Sequence, residues 1–195
     1  MTQLGEGVAI GIPGLVSVAE DEAKPDKPKP CHLKVRVKRP SGKGPWYAFG
    51  MLGGSASGDD MTGHTFCAHL DEGDAATWHG FYPKGAIVSW DNVPAADQIT
   101  GVKDFFKHVA GTLYHGDADH PYDDEKVWEI NRERYDQAQA FAQKWESDKT
   151  KYSLALNNCT TFVVKDGLSA GCPVPSGGFP FANPSSFGKA LSKAS

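Results

Sequence analysis

His32-Leu33-Lys34-Val35-Arg36-Val37-Lys38 alternates apolar and charged residues without a break. Only a β-strand, whose side chains point to opposite faces in turn, sorts such a run into one dry and one wet face. A strand wet on one side belongs to an antiparallel sheet, because parallel sheets are covered on both faces. Two further runs, Thr62–Leu70 and Thr77–Tyr82, read as a hairpin joined by Asp71-Glu72-Gly73-Asp74, where a glycine is available for a left-handed turn position. Gly85–Trp90 reads as another short strand, Gly101–Ala110 as a helix, and Gly111–His115 as the start of an irregular stretch.

Helical patterning follows the strands. Asn131 is a cap, with Glu133 in the first turn and Tyr135, Ala138, Phe141, Ala142 and Trp145 at helical spacing. Asn158 caps a second helix that begins at Cys159 and stops at Ala170-Gly171, and Asn183-Pro184 opens a last short helix through Leu191. The implied class is α+β, a small antiparallel sheet packed against segregated helices.

With 195 residues, 39% of them hydrophobic, the chain suffices for one domain with a core of its own. The expected division is a 1–30 N-terminal arm and Pro/Lys-rich linker, ending in Lys24-Pro25-Asp26-Lys27-Pro28-Lys29-Pro30, followed by a folded domain over 31–195. A net charge of −4 supplies no basic field, so no nucleic-acid partner is expected. No run approaches the roughly 20 apolar residues of a membrane span. Residues 1–20 contain no Lys or Arg, and the apolar run Val8–Val18 is broken by Gly11, Pro13 and Gly14. A Sec signal needs a basic start and an unbroken apolar centre, so the expectation is a protein made in the cytoplasm without one.

The chemistry centres on Asn157-Asn158-Cys159-Thr160-Thr161-Phe162, a cysteine in the first turn of a helix. The positive end of the helix dipole favours thiolate there, although a solitary cysteine more commonly just packs. A nucleophilic cysteine needs a base, and His64 and His79 lie in the two hairpin strands. A three-residue loop Asp71-Glu72-Gly73 would set His64 opposite Gly80, leaving His79 one residue out of register. A bulge would then be needed to bring both rings to one face. If they meet, His64 deprotonates Cys159 while His79 holds the other nitrogen of His64 and fixes its tautomer.

Other constellations carry less. Cys31, Cys67, Cys159 and Cys172 form no C-x-x-C pair, which argues against a zinc knuckle and leaves a Cys31–Cys172 or Cys67–Cys172 bridge open. His115-Gly116-Asp117-Ala118-Asp119-His120-Pro121-Tyr122-Asp123-Asp124 is rich in ligand atoms but lacks calcium-loop spacing, and reads as a solvated acidic loop. Gly53–Gly58 lacks the Gly-Lys-Ser/Thr ending of a phosphate loop and reads as a flexible rim. There is no G-x-S-x-G serine elbow. No metal or other cofactor is expected.

Gly63-His64-Thr65-Phe66, Trp78-His79-Gly80-Phe81-Tyr82-Pro83, and Tyr152-Ser153-Leu154 leading into Asn157–Val163 resemble the circularly permuted papain-like cysteine hydrolases. That group includes permuted NlpC-type peptidoglycan peptidases and lecithin:retinol acyltransferase-like enzymes. The resemblance spans about residues 32–175 and includes the permuted order, histidine strand first and cysteine helix last. It implies a permuted papain-like fold, with Cys159 as nucleophile, His64 as base and His79 as the third polar residue. The Cys159 backbone N–H would help to hold the oxyanion. The implied activity is hydrolysis through a thioester acyl-enzyme. The substrate would be peptidoglycan peptide, cut by an amidase or endopeptidase in the periplasm of a target cell. Together with the missing Sec signal this resembles a type VI secretion antibacterial toxin, whose partners would be a cognate immunity protein and a secretion-machine carrier. Two other readings stay open: lipid acyl hydrolysis or transfer, or isopeptide cleavage, as in permuted relatives, and an inactive binding module.

Overall fold

The alternation of the first strand becomes physical separation in the fold. β1 (Cys31–Lys38) buries Cys31, Leu33, Val35 and Val37 on one face and leaves His32, Lys34, Arg36 and Lys38 half-buried on the other. The structure, a computed structural model, describes residues 29–40, 63–84, 106–178 and 182–194. The arm and linker expected over 1–30 lie almost wholly outside the described residues. So do the Gly53–Gly58 rim and the Gly85–Trp90 strand.

β2 (His64–Leu70) and β3 (Ala76–Pro83) form the expected hairpin. They are followed by β4 (Val109–Tyr114), β5 (Asp124–Ile130) and the two-residue β6 (Lys151–Tyr152). All strands pair antiparallel in one sheet, ordered β5-β1-β2-β3-β4-β6. α1 (Arg132–Ser147), α2 (Cys159–Ser169) and α3 (Pro184–Leu191) are each capped by the asparagine the sequence marks. The α+β class, with a small antiparallel sheet packed against helices, is what the structure has.

Two expectations change. Residues 109–115 are neither helical nor irregular up to Tyr114, since Val109–Tyr114 is a strand. Gly111 lets it lie close against β3, because a β-carbon there would overlap the Phe81 ring. Asp124–Ile130, to which the sequence reading assigns no element, is also a strand, and it takes the free side of β1. Its charged residues mask its period, although the exposure alternates along it.

The core lies between the helices and one face of the sheet. Leu33, Val35, Val37, Cys67, Phe81, Leu113 and Ile130 meet Ala138, Ala142, Trp145, Phe162, Val163, Phe187 and Leu191. Phe162 of α2 is the hub, with its ring centroid 6.2 Å from Phe81, 6.1 Å from Phe141 and 5.4 Å from Trp145. Full burial of such a ring contributes about 1.5–3 kcal/mol, so this cluster sets where α2 sits on the sheet.

Candidate active site

The local sequence places Cys159 firmly. The Asn158 carboxamide oxygen accepts from the Thr161 N–H at 3.0 Å, satisfying one of the donors that a helix start leaves over. Its Nδ2 donates to the carbonyls of Leu154 and Ala182, both at 2.7 Å. The cap is thus fastened to the chain before it and to the segment leading into α3. The adjacent Thr160 hydroxyl lies 3.0 Å from that of Thr65 and ties the helix start to β2. Cys159, 5% exposed, therefore stands on the first turn of α2, at the positive end of its dipole.

His64 opens β2 and meets this cysteine from the sheet. Its ring is buried, stacked at 4.4 Å on Tyr82 and at 5.1 Å on His120. Its Nε2 lies 3.5 Å from Oδ2 of Asp117. Burial alone pulls the imidazole down. The neighbouring Cys159 sulfur, and then the Asp117 carboxylate, outweigh it and push His64 up to about 10. The ring is accordingly held as imidazolium, the form that can return a proton to a leaving group.

Asp117 is the residue that the sequence does not reveal. It starts a 3-10 turn, Asp117–Asp119, in the stretch read as a solvated acidic loop, yet Asp117 and His120 are both buried against the sheet. The Asp117 Oδ1 accepts from the Tyr82 hydroxyl at 3.0 Å. Gly80 leaves the space: a β-carbon there would overlap the Asp117 carboxylate. Arg36 holds the turn in place, donating to the Ala118 carbonyl at 3.0 Å and to Glu125 at 2.7 Å. Its guanidinium stacks 4.4 Å from the Trp78 ring and 4.1 Å from Tyr122. No local pattern announces a carboxylate that is buried only because a loop folds back over a glycine.

His79 does not join them. The hairpin loop runs over five residues, 71–75, with Leu70 opposite Ala76 and Cys67 opposite His79. Asp71 shapes the loop by accepting from the backbone N–H groups of Gly73 and Ala75, and Asp74 takes a φ of 63°. This register, without a bulge between the rings, puts His79 on the face opposite His64. There it lies 4.7 Å from the His69 ring and 5.1 Å from His115. Burial, then the positive charges of His69 and His115, pull it down to about 3, so it stays neutral. The place expected for His79 beside His64 is taken by Asp117.

All four cysteines are free, so neither bridge left open by the sequence has formed. Burial pushes the thiols of Cys31, Cys67 and Cys172 up, the last to about 11, so these three stay protonated near neutral pH. On the core face, Cys67, His69 and Asp166 form a second polar cluster, described further below. Among the described residues no helix is long and apolar enough to cross a membrane. Compared with known proteins, the chain matches no protein-family model, no curated protein and no solved structure.

Proposed function

We propose that the protein is a cysteine hydrolase working through a thioester acyl-enzyme, with Cys159 as nucleophile, His64 as acid and base, and Asp117 orienting His64. The observation that carries this reading is the buried His64 ring, raised to about 10 chiefly by Cys159 at the start of α2 and lying 3.5 Å from the buried Asp117 carboxylate. In the reaction the thiolate attacks a carbonyl carbon, and the His64 imidazolium donates its proton to the departing amine or alcohol. The neutral imidazole then takes a proton from water, whose oxygen attacks the thioester and returns the sulfur as thiolate. The Cys159 backbone N–H, at the helix start and without an acceptor one turn back, is placed for the oxyanion.

The finer reading is a permuted papain-like, NlpC-type enzyme that cuts peptidoglycan peptide as a secreted antibacterial toxin, restrained by an immunity protein. Its support is the resemblance, including the order of histidine strand before cysteine helix. The assay is digestion of purified sacculi by the native protein and by its Cys159→Ala, His64→Ala and Asp117→Asn variants, with the released muropeptides identified by mass spectrometry. The native protein releases fragments, Cys159→Ala releases none, and His64→Ala is slower by about 10²–10⁴-fold. Absence of products from the native protein rejects the peptidoglycan substrate. Cys159 alkylation by iodoacetamide at neutral pH tests the site separately. A rate unchanged in His64→Ala would defeat the hydrolase reading itself.

A further inference from the structure

We propose that the core face of the sheet carries a second site, a tetrahedral zinc centre formed by Cys67, His69 and Asp166, with His79 as fourth ligand. It shares no residue with the Cys159 site and does not depend on that site being catalytic. Cys67 and His69 are alternate residues of β2, so both side chains leave the same face. Asp166 descends from α2, two turns beyond Cys159, and its Oδ2 lies 2.8 Å from His69 Nε2 and 3.4 Å from Cys67 Sγ. One ligand atom from each of the three residues falls within 4.8 Å of the others. Zinc bonds of about 2.0–2.3 Å at tetrahedral angles set ligand atoms roughly 3.3–3.7 Å apart. The two separations from Asp166 lie within about half an ångström of that spacing, and binding would draw Cys67 and His69 together and turn the His79 ring in to close the fourth position.

The second observation is a set of unanswered polar atoms. Both ring nitrogens of His79 are buried with no hydrogen-bond partner among the described residues, and its ring lies 4.7 Å from that of His69. A buried polar atom left unanswered is costly, and a core rarely tolerates such atoms without a partner. His79 faces Cys67 directly across the β2–β3 pair, which puts its β-carbon about 4.5–5.5 Å from that of Cys67. A ring nitrogen without a partner there offers the lone pair that a metal takes.

Charge supports the same assignment. One divalent cation, one thiolate, one carboxylate and two neutral imidazoles sum to zero, the arrangement a dry interior tolerates best. On binding, the sulfur–metal bond replaces the Cys67 S–H bond and the metal replaces the proton that His69 Nε2 shares with Asp166, and both protons pass to solvent while His69 keeps one on Nδ1. The mixed sulfur, nitrogen and oxygen donors suit zinc better than calcium or magnesium. Such a centre would staple β2 and β3 to α2, the helix that presents Cys159.

The test uses the full chain, stripped with chelator, reduced, and titrated with Co²⁺ and then Zn²⁺. The expected result is one equivalent of cobalt with tetrahedral visible bands and a thiolate-to-cobalt charge-transfer band, displaced by zinc, with a higher melting temperature in zinc. Cys67→Ser removes the charge-transfer band and weakens binding at least about 100-fold, and His79→Gln weakens it about 10–100-fold. A Cys31→Ser/Cys159→Ser/Cys172→Ser variant, in which Cys67 is the remaining thiol, keeps the band and decides the matter if Cys67→Ser does not fold. No stoichiometric uptake by the native chain, or a band that the triple variant loses, overturns the proposal.

Discussion

His64 owes its proton to its neighbours. Cys159 is the largest of the influences that raise it, ahead of Asp117, and together they overcome burial to hold the ring at about 10. The folded value stands above the ordinary value of 6.5, so the stabilisation linked to this proton is complete below 6.5 and disappears as pH rises through 10. Nuclear magnetic resonance titration of the His64 ring is expected to show the midpoint falling most in Cys159→Ala and less in Asp117→Asn. Gly80→Ala adds the β-carbon that the Asp117 carboxylate cannot accommodate. It should lower the His64 midpoint as Asp117→Asn does, with the far-ultraviolet circular dichroism unchanged. An unaltered midpoint in Gly80→Ala would show that Asp117 is not seated by that glycine. Cys159 and His64 were legible because each rests on a local pattern, a capped helix start and a two-residue period. Asp117 was not, because its burial depends on Arg36, 81 positions earlier in the chain, gripping the neighbouring carbonyl through the fold.

All three described helices were readable from the sequence, as were β1 and the β2–β3 hairpin. Each of the three begins at an asparagine whose side chain accepts from the N–H three residues on: Arg134, Thr161 or Ser186. Asn158 does more than cap, since it also holds the Leu154 and Ala182 carbonyls. Asn158→Ala is therefore expected to cost about 2 kcal/mol, a cap plus two half-buried carbonyls left without their donor. Asn158→Ser, which retains an accepting oxygen, should cost about 1 kcal/mol less in chemical denaturation. Equal losses would mean that the cap itself contributes nothing. β4 and β5 escaped the sequence reading for different reasons. Gly111 interrupts the first, and its room is explained only by Phe81 on the neighbouring strand. The second carries charges such as Glu125, paired across the strands with Arg36, so its strand character is a property of the pair.

At the scale of the whole molecule, one aromatic cluster joins the sheet to α1 and α2, and Phe162 is its centre. Phe162→Ala should lower the unfolding free energy by about 3–5 kcal/mol, read as a fall in the denaturation midpoint with an unchanged slope. A loss below about 1 kcal/mol would show that this contact does not anchor α2. The sequence by itself determined the α+β class, the three capped helices, the wet-faced first strand, and the cysteine and histidine that come together. Each of these is written in spacings of a few residues, where periodicity and capping act. Only the tertiary structure decided which face each histidine occupies. The pairing slides by two residues from the expected one, which leaves the facing unchanged, so it is the absence of a bulge that keeps His64 and His79 on opposite sides of the sheet. It also decided that Asp117 stands behind His64, and that Asp166 meets Cys67 and His69 on the other side. These are contacts between elements far apart in the chain, and no local pattern encodes them.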